Sequence, residues 1–257
     1  MMHVIGSNGF VGSAICAHFE KMALEHVGIN RGNYEKNIGS RAHYLINASG
    51  SGSKGKANEN PRVDFQRNVQ HTINLVFDFK YDVFVHISSV DVYPEPSFLE
   101  KTDEDFPIDP TKLSPYGFHK YLSELIVRRY CPNWIILRLG GLVGPNLKKN
   151  PIYDWTHGKP FFISRKSRLT FIHTQTVAEI IECIIERRIT REIINICSSD
   201  SIILQDLTSI ANFKIEEMPV QDKLEIQDYK INADKLKEFF KVQTSRFYIK
   251  KYLEENL

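Results

Sequence analysis

A chain of 257 residues with 42% hydrophobic and 25% charged side chains has a globular composition, which excludes disordered and fibrous classes. Its 33 basic and 31 acidic residues leave a formal net charge of +2, no electrostatic footprint for nucleic acid or a membrane surface. The length fits one large domain or a domain carrying a smaller lobe, and no apolar run approaches the ~20 residues of a membrane span.

The opening MMHVIG passes straight into strand-like residues, with no basic region, apolar core or cleavage site of a secretory leader. Cys16, Cys131, Cys183 and Cys197 are scattered with no C-x-x-C pair, and the nine histidines show no metal spacing. A reduced, cytoplasmic, metal-free protein is expected.

Short apolar runs then alternate with amphipathic stretches. Residues 2–5 read as a strand and 10–23 as a helix, with Val11, Ile15, Phe19 and Met22 spaced three or four apart. Strands follow at 26–30 and 44–48. Asn60-Pro61, a cap residue before a proline, opens a helix carrying Val63, Val69, Ile73 and Val76. Residues 83–87 form a β-rich run. Ser114-Pro115 repeats the cap signal for a helix through Arg129, and 134–139 is a buried-strand run. A helix at 177–186 and a strand at 193–197 complete the alternation, while 147–169 and the stretch after Ser201 lose the pattern. This order predicts a doubly wound parallel α/β sheet with a small C-terminal lobe. The expected division is 1–146 and 170–203 for dinucleotide binding, with 147–169 and 204–257 forming the lobe.

GSNGFVG places Gly6, Gly9 and Gly12 between the first strand and helix. Without side chains there, a diphosphate can approach backbone N–H groups and the positive end of the helix, beside Asn8, Phe10 and Val11. A ligand-free glycine turn is the plainer alternative. At the end of the second strand, where a carboxylate would hold an NAD ribose, stand Asn30 and Arg31. Asn30 brings no charge to repel a 2′-phosphate and Arg31 can pair with one, which favours NADP(H) over NAD unless Arg31 is only a solvated charge.

Tyr116 alone among the eleven tyrosines has a lysine, Lys120, four residues on, so phenol and ammonium share a helix face. A Coulomb term of roughly 1–4 kcal/mol would lower the phenol pKa by about 1–3 units, making a half-ionised acid/base. Ser89, at a strand end, would hydrogen-bond the substrate oxygen.

Together these segments resemble an extended short-chain dehydrogenase/reductase of the NAD-dependent epimerase/dehydratase type, which handles nucleotide-linked sugars. GSNGFVGSAI is similar to its glycine signature, SSVDVY to its serine strand and SPYGFHKYLSE to its tyrosine–lysine helix. LRLGGLVGPN, ENPRVDFQRNVQHTINL, FIHTQTVAEII and INICSSDSIILQDL resemble further segments, so the likeness runs through most of 2–210. It implies a Rossmann-type sheet, Tyr116 as acid/base, Lys120 on the nicotinamide ribose, Ser89 polarising the substrate, and Asn47, Ala48, Ser49 and Asn68 along the cofactor trough. It also implies Asp91, Tyr93 and Arg168 near substrate, and a homodimer built on the central and tyrosine-bearing helices.

Three departures qualify it. About a dozen residues separate Arg31 from the next strand, so one outer strand should be missing. The acid pair of the dehydratases reads Val90-Asp91. Arg168 is displaced by one position from the family's diphosphate-gripping arginine, and Leu169 cannot replace it. The expected function is NADP(H)-dependent reduction of a keto nucleotide sugar. The alternatives are an NAD-dependent 4-epimerase and a non-catalytic dinucleotide sensor.

Overall fold

The computed structural model describes residues 1–210 and 224–256; the part of the expected C-terminal lobe at 211–223 and the last residue lie outside them. Six parallel strands form the central sheet: β1 (Met2–Ile5), β2 (His26–Ile29), β3 (Arg41–Asn47), β4 (Lys80–Ser89), β5 (Trp134–Leu139) and, late in the chain, β9 (Glu192–Ile196). Their order is β2-β1-β3-β4-β5-β9. Strands covered on both faces must be apolar along most of their length, and Val4, Leu45, Ile46, Val85, Ile135 and Ile136 are fully buried. Between Arg31 and β3 lies only the short helix α2 (Tyr34–Asn37), so the outer strand is indeed missing.

One face carries α1 (Phe10–Lys21) and α8 (Thr174–Glu186), which bury Ile15, Phe19, Ile180 and Ile184 and are tied by His18 Nε2 and Glu182 Oε2 at 2.7 Å. Helix α1 stops short of the expected end, and Met22 is exposed rather than part of its apolar face. The other face carries α4 (Pro61–Phe65), a π turn at Gln66–Gln70, α5 (His71–Asp78) and α6 (Pro115–Tyr130). Asn60 caps α4, its side chain accepting from the Val63 N–H. The π turn rotates the helix at Asn68, a break that hydrophobic spacing does not encode. Helix α3 (Lys54–Glu59) forms in the Gly/Ser-rich run GSGSKGK, where Ser53 caps it by accepting from the Lys56 N–H.

Outside the main sheet, β6 (Gly141–Val143) pairs with β8 (Phe171–His173), and β7 (Arg168–Leu169) with β10 (Ile202–Ile203). A C-terminal stretch runs beside β7, with the Tyr229 N–H donating to the Arg168 carbonyl. The short helices α7 (Pro151–Thr156) and α9 (Asp234–Lys237) and the terminal α10 (Ser245–Asn256) complete the described chain. Register aligns Ile5 with Ile29 and Asn47, Asn47 with His86, and Ser89 with Leu139. The carboxyl ends of β1, β3 and β4 therefore open on one edge, where a sheet of this kind binds ligands. Among the described residues no helix is long and apolar enough to cross a membrane.

Candidate active site

The glycine turn comes first in the crevice. Gly6 adopts φ +81°, and a Cβ on Gly12 would sit 2.2 Å from the Gly6 carbonyl oxygen, so α1 packs directly on the turn. Gly9 caps α1 without a side-chain hydrogen bond, and the first turn holds no acidic residue. Its leading N–H groups are therefore left for an anion, beside the exposed Asn8 and half-buried Phe10 and Val11. Ala48 and Ser49 abut Gly6. Asn47 braces this loop, its Oδ1 accepting from the Ser49 N–H and hydroxyl while Nδ2 faces Thr72 and His86. Asn68 Oδ1 accepts from the Ser51 N–H, and its buried Nδ2 has no partner. A bare cradle and an unfilled amide donor along one trough fit a nicotinamide dinucleotide.

At the end of β2, Asn30 Oδ1 accepts from the Gly32 N–H at 2.8 Å and its own N–H donates to Asn33 Oδ1. Arg31 next to it is exposed.

The second group stands on β4 and α6. Ser114 caps α6 by accepting from the Gly117 N–H, with Pro115 in the first turn. A Cβ on Gly117 would lie 2.2 Å from the Asp91 carbonyl, so only glycine lets α6 begin against the 90–92 turn. That contact brings Tyr116 beside Ser89 and Asp91. Tyr116 and Lys120 are both buried, and Lys120 Nζ donates to the Ile87 carbonyl at 2.6 Å.

The expectation of a half-ionised phenol is overturned. Burial, then the charge of Asp91 and that of Asp64, hold Tyr116 above the ordinary tyrosine range, with only the Ser89 hydroxyl pulling the other way. The ammonium that was to lower it is spent on a backbone carbonyl and is itself pushed down to about 8 by burial, against the opposing charges of Glu124 and Asp64. Tyr116 is therefore held in its protonated form. Lys120 is cationic below about pH 8 and loses its charge as pH rises through that value. If the ammonium is what fixes the ribose and phenol, kcat/KM is expected to fall above pH 8, and a pH–rate profile flat to pH 9.5 would contradict this.

Of the residues expected near substrate, Asp91 lies beside Ser89 and accepts from its hydroxyl at 3.1 Å. Tyr93 lies away from that group. Its buried hydroxyl donates to Asn195 Oδ1 and accepts from Arg138 Nη1, both at 2.9 Å, because the 90–92 turn after β4 carries it toward β5 and β9. Arg138 is also clamped by Glu124 through Nε and Nη2, and Glu124 accepts from the Ser88 hydroxyl at 2.5 Å. Arg168 is likewise outside the crevice. It faces Asp228 at 3.8 Å and lines a cavity of about 600 Å³ with Asp200, Lys230 and Arg246.

Sequence reasoning missed Lys54 and Tyr229, which both reach Asp91. Lys54 lies in a Gly/Ser-rich run and Tyr229 in a stretch without periodicity, so neither carried a signal. It also missed Asp64, whose Oδ2 meets His119 Nδ1 at 2.8 Å and whose buried Oδ1 has no partner.

A bare glycine turn at the first crevice and a buried tyrosine–lysine pair on α6, against β4, define a dinucleotide-dependent acid/base enzyme. The model of the NAD dependent epimerase/dehydratase family matches residues 2–197, and this chain belongs to that family. The fold superposes on MoeE5 in complex with UDP-glucuronic acid and NAD (TM-score 0.84, 15% identity), covering 100% of this chain and 99% of that one. A UDP-galactose 4-epimerase gives 0.80 at 18% identity, over 100% and 99%. The dTDP-4-dehydrorhamnose reductase of Bacillus anthracis in complex with NADP gives 0.80 at 15%, over 99% and 98%. A 94-residue stretch, 34% of this chain, is 43% identical to a provisionally assigned UDP-glucose 4-epimerase of Methanocaldococcus jannaschii and spans 30% of that relative's length.

Proposed function

We propose that this chain is an NADP(H)-dependent reductase of a keto nucleotide sugar, with Tyr116 as the general acid. The observation that carries the reading is the end of β2. Asn30 stands where a carboxylate would repel a 2′-phosphate, its side chain is turned back onto Gly32, and Arg31 is exposed beside it. The protonated state of Tyr116 supports the same direction, since reduction needs a proton delivered to the new alkoxide.

When bound, the nicotinamide supplies a hydride to the carbonyl carbon. Tyr116 then protonates the oxygen, Ser89 orients it, and Lys120 holds the ribose with its ammonium. The trough of Gly6, Asn8, Gly9, Phe10, Val11, Gly12, Asn47, Ala48, Ser49 and Asn68 would hold the dinucleotide, with 147–169 and the described part of 204–257 as the substrate lobe. All four cysteines are free, in keeping with a cytoplasmic setting.

Stoichiometric NADPH consumption with a 4-keto nucleotide sugar is the expected result. Interconversion of two sugar nucleotides with no net NADPH oxidation would instead make the chain a 4-epimerase with retained NAD, the reading that the 43%-identical relative favours.

The active unit in this reading is a homodimer. Phe65, Phe77, Phe118, Leu125 and Tyr130 are exposed on α4, α5 and α6, with Phe77 67% exposed and edge-on to Tyr130. A charge in such a patch opposes burial against a second copy. Light scattering is expected to give a dimer for the native chain and a monomer for Phe77→Glu; a native monomer removes the proposal.

A further inference from the structure

Three distant segments meet at one carboxylate beside the acid/base tyrosine. Lys54, at the start of α3, places Nζ 2.5 Å from Asp91 Oδ1. The Tyr229 hydroxyl donates to the same oxygen at 2.5 Å. Lys54 Nζ also donates to that hydroxyl and lies 4.7 Å from the centre of the Tyr229 ring. Asp91 Oδ2 accepts from Ser89. Both carboxylate oxygens are thus filled from within, and the Ser89 hydroxyl is held by Asp91.

A sugar that reaches Ser89 and Tyr116 must exchange its own groups for these bonds. The charges acting on Tyr116, Lys120 and Tyr229 determine which groups are tolerated. Lys54 is balanced by Asp91, Asp64 faces Lys120 and Tyr116, and Glu225 adds a further acidic charge beside Tyr229. Glu124 is neutralised by Arg138 and His119 pairs with Asp64. The ammonium of Lys120 is turned onto the Ile87 carbonyl, and that of Lys149 onto the Gly52 carbonyl. A ring hydroxyl can donate to Asp91 and accept from Lys54 or Tyr229 with no change in charge. A ring carboxylate would stand beside Asp91, Asp64 and Glu225, or take Lys54 and leave the half-buried Asp91 without a counter-ion. Either outcome is unfavourable.

We propose that Lys54, Asp91 and Tyr229 form the sugar-reading wall of the site and select a neutral hexose over a hexuronate. The proposal rests on the nucleotide-sugar reading above and adds the class of sugar.

The test is calorimetric titration of the NADP-loaded chain with UDP, dTDP, UDP-glucose and UDP-glucuronate, in the native chain and in Asp91→Asn and Lys54→Met. The native chain is expected to bind UDP-glucose at least about tenfold more tightly than UDP-glucuronate. Asp91→Asn leaves Lys54 without its counter-ion, so UDP-glucuronate affinity is expected to rise about tenfold. The double variant with Lys54→Met is expected to lose that gain, a reversal that a general loosening of the pocket would not produce. UDP and dTDP carry no sugar and report the nucleotide contacts separately. Equal affinity for UDP-glucose and UDP-glucuronate, or a preference that Asp91→Asn leaves alone, overturns the proposal only. Absence of binding by all four ligands removes the nucleotide-sugar reading and this inference with it.

Discussion

Tyr116→Phe is expected to lower kcat for keto-sugar reduction by roughly 10²- to 10⁴-fold while NADPH still binds, the range for loss of a positioned general acid. The phenol is buried, so the substitution removes one oxygen and leaves the packing of α6 intact. No neighbour can substitute. The Ser89 hydroxyl donates to Asp91, the Tyr229 hydroxyl donates to Asp91 as well, and Lys120 is turned onto the Ile87 carbonyl. Single-turnover reduction, followed by NADPH absorbance beside a fluorescence titration of cofactor, separates the two effects. A rate within tenfold of the native chain would mean that another group delivers the proton. The acid assignment would then pass to Tyr229 or to Ser89.

The sheet was legible in the sequence because buried parallel strands leave uninterrupted apolar runs, and the 134–139 run matches β5 at both ends. Cap-plus-proline pairs located α4 and α6 for an equally local reason: Asn60 and Ser114 each accept from an N–H three residues on. The glycine turn was readable because close approach permits no side chain at Gly12. What failed was anything decided by three-dimensional surroundings. Helical spacing put Lys120 on the face of Tyr116, but spacing cannot say where an ammonium points or how deeply a phenol is buried, so the sign of the tyrosine shift came out reversed. Tyr93 follows Ser89 closely in sequence, yet the chain turns it away into Asn195 and Arg138. Lys54 and Tyr229 meet across 175 positions, a separation at which one sequence carries no pairing signal.

The same distinction between local and tertiary causes governs stability. Glu124→Gln is expected to destabilise the fold by about 3–5 kcal/mol, because it strips the counter-charge from an arginine that stays buried. Arg138 is 1% exposed, its guanidinium clamped by both Glu124 oxygens and stacked 4.9 Å from the Tyr93 ring. Its environment holds it charged: burial opposes the charge, but the Glu124 carboxylate and the Tyr93 hydroxyl outweigh burial and raise its pKa. Gln keeps the shape and one acceptor, which can still serve the Ser88 hydroxyl and Arg138 Nε, but its amide nitrogen cannot accept from Nη2, so the loss covers the charge and that one hydrogen bond. Urea unfolding should show a lower midpoint with an unaltered slope. Replacing both partners, Glu124→Leu with Arg138→Met, is expected to recover most of the loss, since an apolar pair leaves no charge to solvate. Glu124 also lies one helical turn beyond Lys120 and supports its ammonium. In Glu124→Gln that support is gone, the Lys120 pKa falls further, and the alkaline limb of kcat/KM moves to lower pH. A purely structural role predicts the unfolding shift without the move in the pH profile, so measuring both in one variant decides whether the buried network also serves the acid/base pair.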